Sequence, residues 1–173
     1  MESIQLIFFI IFGIVFVGVI IFNVFFVKRF TIDTFSLEPN EKILFEDENI
    51  TVDLHSPSYR RSTKLIWSKV RFTTRRIIIG QRPWLQPKKY WVKAVIYYAG
   101  KPPSEEVSLG IRRGYGLYSA DIPNIEFKQF EEKPFLSIPV TAENGAYDDT
   151  EIVKIHTSKV GEYEKHLKVT RSF

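Results

Sequence analysis

Lys64–Gly80 reads KLIWSKVRFTTRRIIIG, and its two halves decide how the rest of the chain is read. In Lys64–Thr74, Leu65, Trp67, Lys69, Arg71 and Thr73 share one face, while Ile66, Val70 and Phe72 lie on the other. A period near two among aromatic and β-branched residues predicts a strand. Arg76–Gly80, RIIIG, is a short β-branched run and predicts another. Working outward, Lys42–His55 (KILFEDENITVDLH) shows two apolar stretches around an acidic turn, and Tyr90–Ala99 (YWVKAVIYYA) is rich in β-formers. Weaker strand candidates are Glu106–Ile111, Gly116–Asp121, Ile125–Glu131, Phe135–Val140 and Glu151–His156, separated by glycine and proline breakers. Thr157–Thr170 differs. Thr157 or Ser158 suits a helix cap, and Val160, Tyr163 and Leu167 recur at helical spacing. The expectation is a mainly β fold, a small barrel or sandwich of about seven strands closed by a C-terminal helix.

The N-terminus is of another kind. Ile4–Val27 reads IQLIFFIIFGIVFVGVIIFNVFFV, without a charge, and holds seven of the fifteen phenylalanines. As a helix these 24 residues would extend about 36 Å, against a hydrocarbon core of about 30 Å. The leading Met1-Glu2-Ser3 is not basic, and no small-residue cleavage site follows, so the stretch predicts an uncleaved transmembrane helix and not a signal peptide. Lys28 and Arg29 follow it directly, which places the N-terminus outside and the C-terminal domain in the cytoplasm. Phe8, Phe12 and Phe16 form one stripe, for lipid or for a partner helix. The expected organisation is a single-pass anchor at 1–29, a linker at 30–40 and a cytoplasmic β-domain at 41–173.

The charges are segregated. Residues 31–53 carry seven acids and one base, while residues 54–104 carry twelve bases and no acid. Trp67, Trp84, Trp91, Tyr90, Tyr97 and Tyr98 lie in the same basic window. Beside an anionic leaflet, each exposed Lys or Arg is worth about 1 kcal/mol. The loop Arg82-Pro83-Trp84-Leu85-Gln86-Pro87-Lys88-Lys89 puts an apolar tip between bases, a pattern suited to headgroups. Trp84 and Leu85 are therefore candidate membrane contacts, and Arg82, Lys88 and Lys89 candidate lipid or phosphate ligands. The alternative is that Trp84 and Leu85 fold back onto the barrel.

Two short motifs resemble the opening of GRAM and bacterial pleckstrin-homology-like domains. Pro39, Glu41, Ile43 and Leu44 match the "Pro-x-Glu-x-Ile-Leu" start, and Phe72, Thr73, Arg76, Ile77 and Ile78 match the following segment. The stretch from Tyr90 to Tyr147 departs from that pattern. The resemblance implies a PH-like barrel of seven strands with a C-terminal helix, acting in lipid or protein binding and not in catalysis. It also makes Arg60, Arg61 and Lys64 candidate phosphate contacts, since arginine grips phosphate through paired hydrogen bonds.

No enzyme is expected. The chain has no cysteine, so a cysteine nucleophile, a cysteine zinc site and an iron–sulfur cluster are excluded. Gly110–Gly116 lacks the spacing of a phosphate loop and is expected to be a turn. His156 and His166 are ten apart, which is not zinc spacing, and Asp148, Asp149 and Glu151 suit a solvated turn better than a metal site. No cofactor, metal or nucleic-acid partner is expected. Two readings stand. One is a membrane-anchored adaptor whose basic domain lies against anionic lipid. The other is a structural subunit of a membrane complex, using the basic region and the transmembrane helix for protein contacts.

Overall fold

The computed structural model describes residues 2–25, 30–56, 61–84, 86–130, 133–143, 150–167 and 170–172, with side chains for all of these except 2–4, 6, 20, 22–25, 61, 129, 130, 133 and 170–172. Glu2–Phe25 is one unbroken helix, α1, of 24 residues. Its apolar side chains from Ile7 to Val19 are exposed, and Phe8, Phe12 and Phe16 stack along one face at 6.5 and 6.3 Å between ring centres. Judged on the described side chains alone, no helix is long and apolar enough to cross a membrane.

The rest of the chain is mainly β. Its strands are β1 (Ile43–Ser56), β2 (Arg61–Thr73), β3 (Arg76–Gln81), β4 (Trp91–Tyr97), β5 (Gly116–Ala120), β6 (Glu126–Phe130), β7 (Lys133–Ala142), β8 (Thr150–His156) and β9 (Thr170–Ser172). They form one sheet in the order β5-β4-β3-β2-β1-β8-β7-β6-β9, and a further pairing of β5 with β7 closes seven of them into a barrel. Closure removes the open edges that a sheet of this size would otherwise present. β6 pairs with the N-terminal half of β7 outside the ring, and β9 adds to β6 in parallel.

Three features differ from the expectation. The acidic turn within Lys42–His55 is absent, and β1 runs as one strand of 14 residues. Its irregularity is absorbed by bulges. Asn49 is an extra residue facing β2, and a compensating extra residue sits at Ile66-Trp67 on β2. Both Asn49 (φ 58°) and Trp67 (φ 53°) adopt left-handed backbone. Asparagine tolerates this conformation, but for a bulky residue it is an outlier costing roughly 1–3 kcal/mol. The bulge also shifts the alternation, so that Leu65 and Val70 enter the same core.

The second difference is Glu106–Ile111, expected as a strand, which lies within helix α2 (Ser104–Arg113). The alternation of Val107, Leu109 and Ile111 imitates a strand, but the ends decide otherwise. Glu105 and Glu106 occupy the first turn, Arg112 and Arg113 the last, and Gly114 caps the C-terminus at φ 72°. α2 is the crossover that lets β4 and β5 pair in parallel. Gly110–Gly114 is accordingly a helix end and its cap, and Gly116 opens β5.

The third is the stretch 30–40, expected as a linker, which is built into the domain as a strap. The Ile32 amide donates to the Tyr90 carbonyl at 2.8 Å, and the Val92 amide to the Phe30 carbonyl at 2.9 Å. Ile32 is fully buried and Phe35 nearly so. This strap explains the uninterrupted run Ile77-Ile78-Ile79. Ile77 and Ile79 point into the barrel, and Ile78 points outward into a second cluster with Ile32, Phe35, Val95 and Leu117. Both faces of β3 are covered, so no polar residue alternates.

Gly80 is where the strap touches the barrel wall. A Cβ built there would lie 2.6 Å from Cδ1 and 2.7 Å from Cγ1 of Ile32. Gly80→Ala is expected to lower stability by about 1–3 kcal/mol through overpacking, read as a fall in the urea midpoint. An unchanged midpoint would mean that the strap is not seated here.

The barrel interior centres on aromatic rings. Phe72 lies between Phe45 and Tyr98, each 5.1 Å away and nearly parallel, with Tyr163 edge-on at 5.7 Å. Tyr163 belongs to the short helix α3 (Val160–Glu164), and Leu167 follows it into the same core. The helical spacing read over Thr157–Thr170 thus yields one short helix and a turn that bring Tyr163 and Leu167 onto the barrel.

Candidate functional site

The acidic and basic blocks of the sequence are largely each other's partners. β1 carries the acids and β2 the bases, and the antiparallel register sets Glu46 opposite Arg71 and Glu48 opposite Lys69. Arg71 Nε donates to Glu46 Oε1 at 2.6 Å, and Lys69 Nζ lies 2.9 Å from Glu46 and 2.8 Å from Glu48. Burial opposes charge on both Lys69 and Glu46, but their mutual bonds outweigh it, leaving the lysine above and the carboxylate below their ordinary ranges. Arg71 reaches further, donating to the Ile32 carbonyl at 2.5 Å and to Asp33 at 3.2 Å, so this pair also fastens the strap.

Arg76 is spent more completely. Its side chain is 2% exposed and sits against Glu41, which is 0% exposed. Nε and Nη2 fork onto the two Glu41 oxygens at 3.0 and 2.9 Å. Nη1 meets Glu106 at 2.7 and 2.8 Å and the Tyr97 hydroxyl at 2.8 Å, while Nη2 also donates to the Ser36 carbonyl at 2.9 Å. The Thr73 hydroxyl lies 2.6 Å from Glu41 Oε1. Glu38 accepts from Tyr97 at 2.6 Å and pairs with Arg75. One guanidinium thereby joins β3, β4, the strap and α2. Burial and the neighbouring Glu106 and Glu38 carboxylates push the Tyr97 phenol far above its usual range. An open cleft of about 230 Å³ lies beside this cluster, lined by Phe30, Phe35, Leu37, Glu38, Glu106 and Leu109 among others.

Glu41 makes the cluster acid-sensitive. Burial alone would raise its pKa, but hydrogen bonds from Arg76, Thr73 and the Glu38 backbone, with the Arg76 charge, hold it below 4.5. A depressed carboxylate contributes stability above its unfolded value and loses it as pH falls through the folded value. Stability is therefore expected to decline as the pH falls below about 4.5, and less steeply in Glu41→Gln than in the native chain. Parallel pH slopes for the two would contradict this assignment.

The residues expected to bind lipid or phosphate are scattered. Arg60 and Leu85 lie outside the described residues, as do Lys28, Arg29, Asp148 and Asp149, and Arg61 is described only as the backbone start of β2. Lys64, Lys88 and Lys89 are exposed. Arg82 is half-buried and engaged internally, with Nη2 donating to Asn49 Oδ1 at 2.8 Å and to the Tyr90 hydroxyl. Trp84 is 83% exposed and does not fold back onto the barrel. The basic window is thus not one face. Lys69, Arg71, Arg75, Arg76 and Arg82 serve the fold, and Lys64, Lys88, Lys89 and Lys101 remain on the surface.

Among the described residues, no group of three or more potential ligands is placed to hold a metal ion. His156 pairs with Asp53 at 3.0 Å across β1 and β8, and His166 stacks on Phe45. Sequence reasoning missed Glu38, Glu106 and Tyr97 as partners of Arg76. The resemblance motif did contain the signal, since its polar residues Glu41, Thr73 and Arg76 meet in one hydrogen-bonded knot. Comparison with known proteins gives no match: no family model fits the sequence, no curated protein matches it, and no solved structure does.

Proposed function

We propose that this protein is a single-pass, membrane-anchored binding module without catalytic activity, with its barrel held at the cytoplasmic leaflet against anionic headgroups. The observation that carries the reading is the join between α1 and the barrel. The 24 residues of α1 are apolar apart from its ends, Gln5 and Asn23. At 1.5 Å per residue the helix is about 36 Å long, against a hydrocarbon core of about 30 Å. Phe30 is already hydrogen-bonded into the barrel wall, so five residue steps along the chain separate the end of α1 from the barrel. Five Cα steps reach at most about 18 Å, which keeps the barrel next to whatever α1 enters. The PH-like resemblance supports a binding role, and the seven-strand ring is compatible with it. The α2 crossover is a feature the resemblance did not imply.

Alkaline carbonate extraction of membranes from cells making the full chain tests the anchor. Retention in the pellet, with the domain digested by protease only after the cytoplasmic face is opened, is the expected result. Release into the supernatant would end the reading. A second reading, a subunit of a membrane complex, is favoured by the flat stack of Phe8, Phe12 and Phe16, which suits a partner helix. A larger assembly surviving mild detergent, and lost in Phe12→Ala with Phe16→Ala, would select it.

A further inference from the structure

The two bulges, the β3–β4 loop and the exposed tryptophans converge on one rim of the barrel. The Arg82 amide donates to the Trp67 carbonyl at 3.3 Å, and Arg82 Nη2 reaches Asn49 Oδ1. The β1 bulge at Asn49, the β2 bulge at Ile66-Trp67 and the loop that leaves β3 at Arg82 are therefore neighbours. On this rim Trp67 is 53% exposed, Ile66 42% and Trp84 83%. The loop holds its shape through two turns, with the Gln86 amide donating to the Pro83 carbonyl at 3.2 Å and the Lys89 amide to the Gln86 carbonyl at 3.0 Å. Lys88 and Lys89 are exposed beside it.

We infer that this rim is a bilayer-docking surface, in which Trp67 and Trp84 enter the headgroup region and Lys88 and Lys89 meet anionic lipid. The inference rests on the anchored reading above and deepens it by naming the contacting face. Three observations select a membrane as the occupant. Tryptophan prefers the interface because its ring is apolar and its indole N–H needs a partner, which the headgroup layer supplies. The charges exposed at the loop are cationic, complementary to an anionic leaflet. The rim also lies beside the strap that follows α1 in sequence, because the loop runs into Tyr90, whose carbonyl accepts from Ile32 of the strap. The backbone of Trp67 is consistent with this use. Trp67 holds a left-handed conformation within the bulge, with its side chain 53% exposed. The engagement of Arg82 with Asn49 and Tyr90 makes it a positioning residue that holds the loop against the bulges, and not a lipid ligand.

The test uses the full chain reconstituted in vesicles of phosphatidylcholine and phosphatidylglycerol, with part of the lipid brominated either high or low on the acyl chain. Tryptophan emission is read for the native chain and for two single-tryptophan chains, Trp67→Phe with Trp91→Phe and Trp84→Phe with Trp91→Phe. The expected result is a blue-shifted emission quenched more by the shallow bromines than by the deep ones, in the native chain and in both variants. Quenching should weaken in Lys88→Glu with Lys89→Glu. Unquenched, water-like emission from vesicles that retain the chain through carbonate would overturn the docking rim while leaving the anchor intact. Loss of the chain to carbonate would overturn the anchored reading, and the rim with it. The native chain supplies the decisive comparison even if a variant fails to fold.

Discussion

Replacing Arg76 by alanine is expected to lower folding stability by about 3–5 kcal/mol, seen as a large fall in the denaturant midpoint of the full chain in detergent. The reason is the company that Arg76 keeps. Glu41 is wholly buried against it, and Glu106 is largely buried. Removing the guanidinium leaves carboxylates that low-dielectric surroundings penalise, together with a Ser36 carbonyl and a Tyr97 hydroxyl that lose a donor. The loss is not local, since the same side chain joins the strap and α2 to the barrel. Arg76→Lys is expected to recover only part of it, because one ammonium cannot reproduce the side-on fork to Glu41 and also reach Glu106. A lysine variant as stable as the native chain would show that charge alone, and not the planar fork, holds the cluster.

Phe72→Ala is expected to cost about 3–5 kcal/mol as well, for a different reason. Phe72 is fully buried and stacks between Phe45 and Tyr98, with Tyr163 and His166 against its edge and face. Its removal opens a cavity where strands β1, β2 and β4–α2 side chains meet α3, and rings of fixed shape refill such space poorly. Phe72→Leu should cost less, since it keeps most of the volume. If both substitutions changed the thermal midpoint equally, the ring stacking and not the cavity would be the dominant loss. Tyr98 should report the same packing at high pH. Burial first, and the Glu41 charge second, push its phenol up to about 12. Its share of stability is complete below pH 10 and is lost as pH rises from about 10 towards 12.

These two sites also show what was readable in advance. Phe72 was placed on an apolar face by alternation alone, and it is in the core. Arg76 counts among twelve bases of a single basic surface, and it is instead a buried charge with its side chain 2% exposed. A charge count cannot reveal pairing between segments far apart in sequence. Glu41 and Arg76 are 35 residues apart, and Glu46 and Arg71 are 25 apart. The same limit applies to Glu106–Ile111. Three apolar residues in alternation satisfied a strand pattern, while the acids, arginines and Gly114 that define a helix lay at its margins. In β1 the acidic middle resembled a turn, because nothing local announced that Arg71 and Lys69 would lie opposite and neutralise it.

By itself, the sequence determined the mainly β character, most strand positions, the apolar N-terminal run and the place of the tryptophan loop between two strands, because alternation, β-branched runs, hydropathy and proline breakers are local properties. Only the tertiary structure decided that seven strands close into a ring, that residues 30–40 are a strap and not a linker, and that five of the bases are engaged within the fold. It alone brought Trp67 beside the Trp84 loop. Each of these depends on register between strands, where a single bulge residue changes which side chains meet.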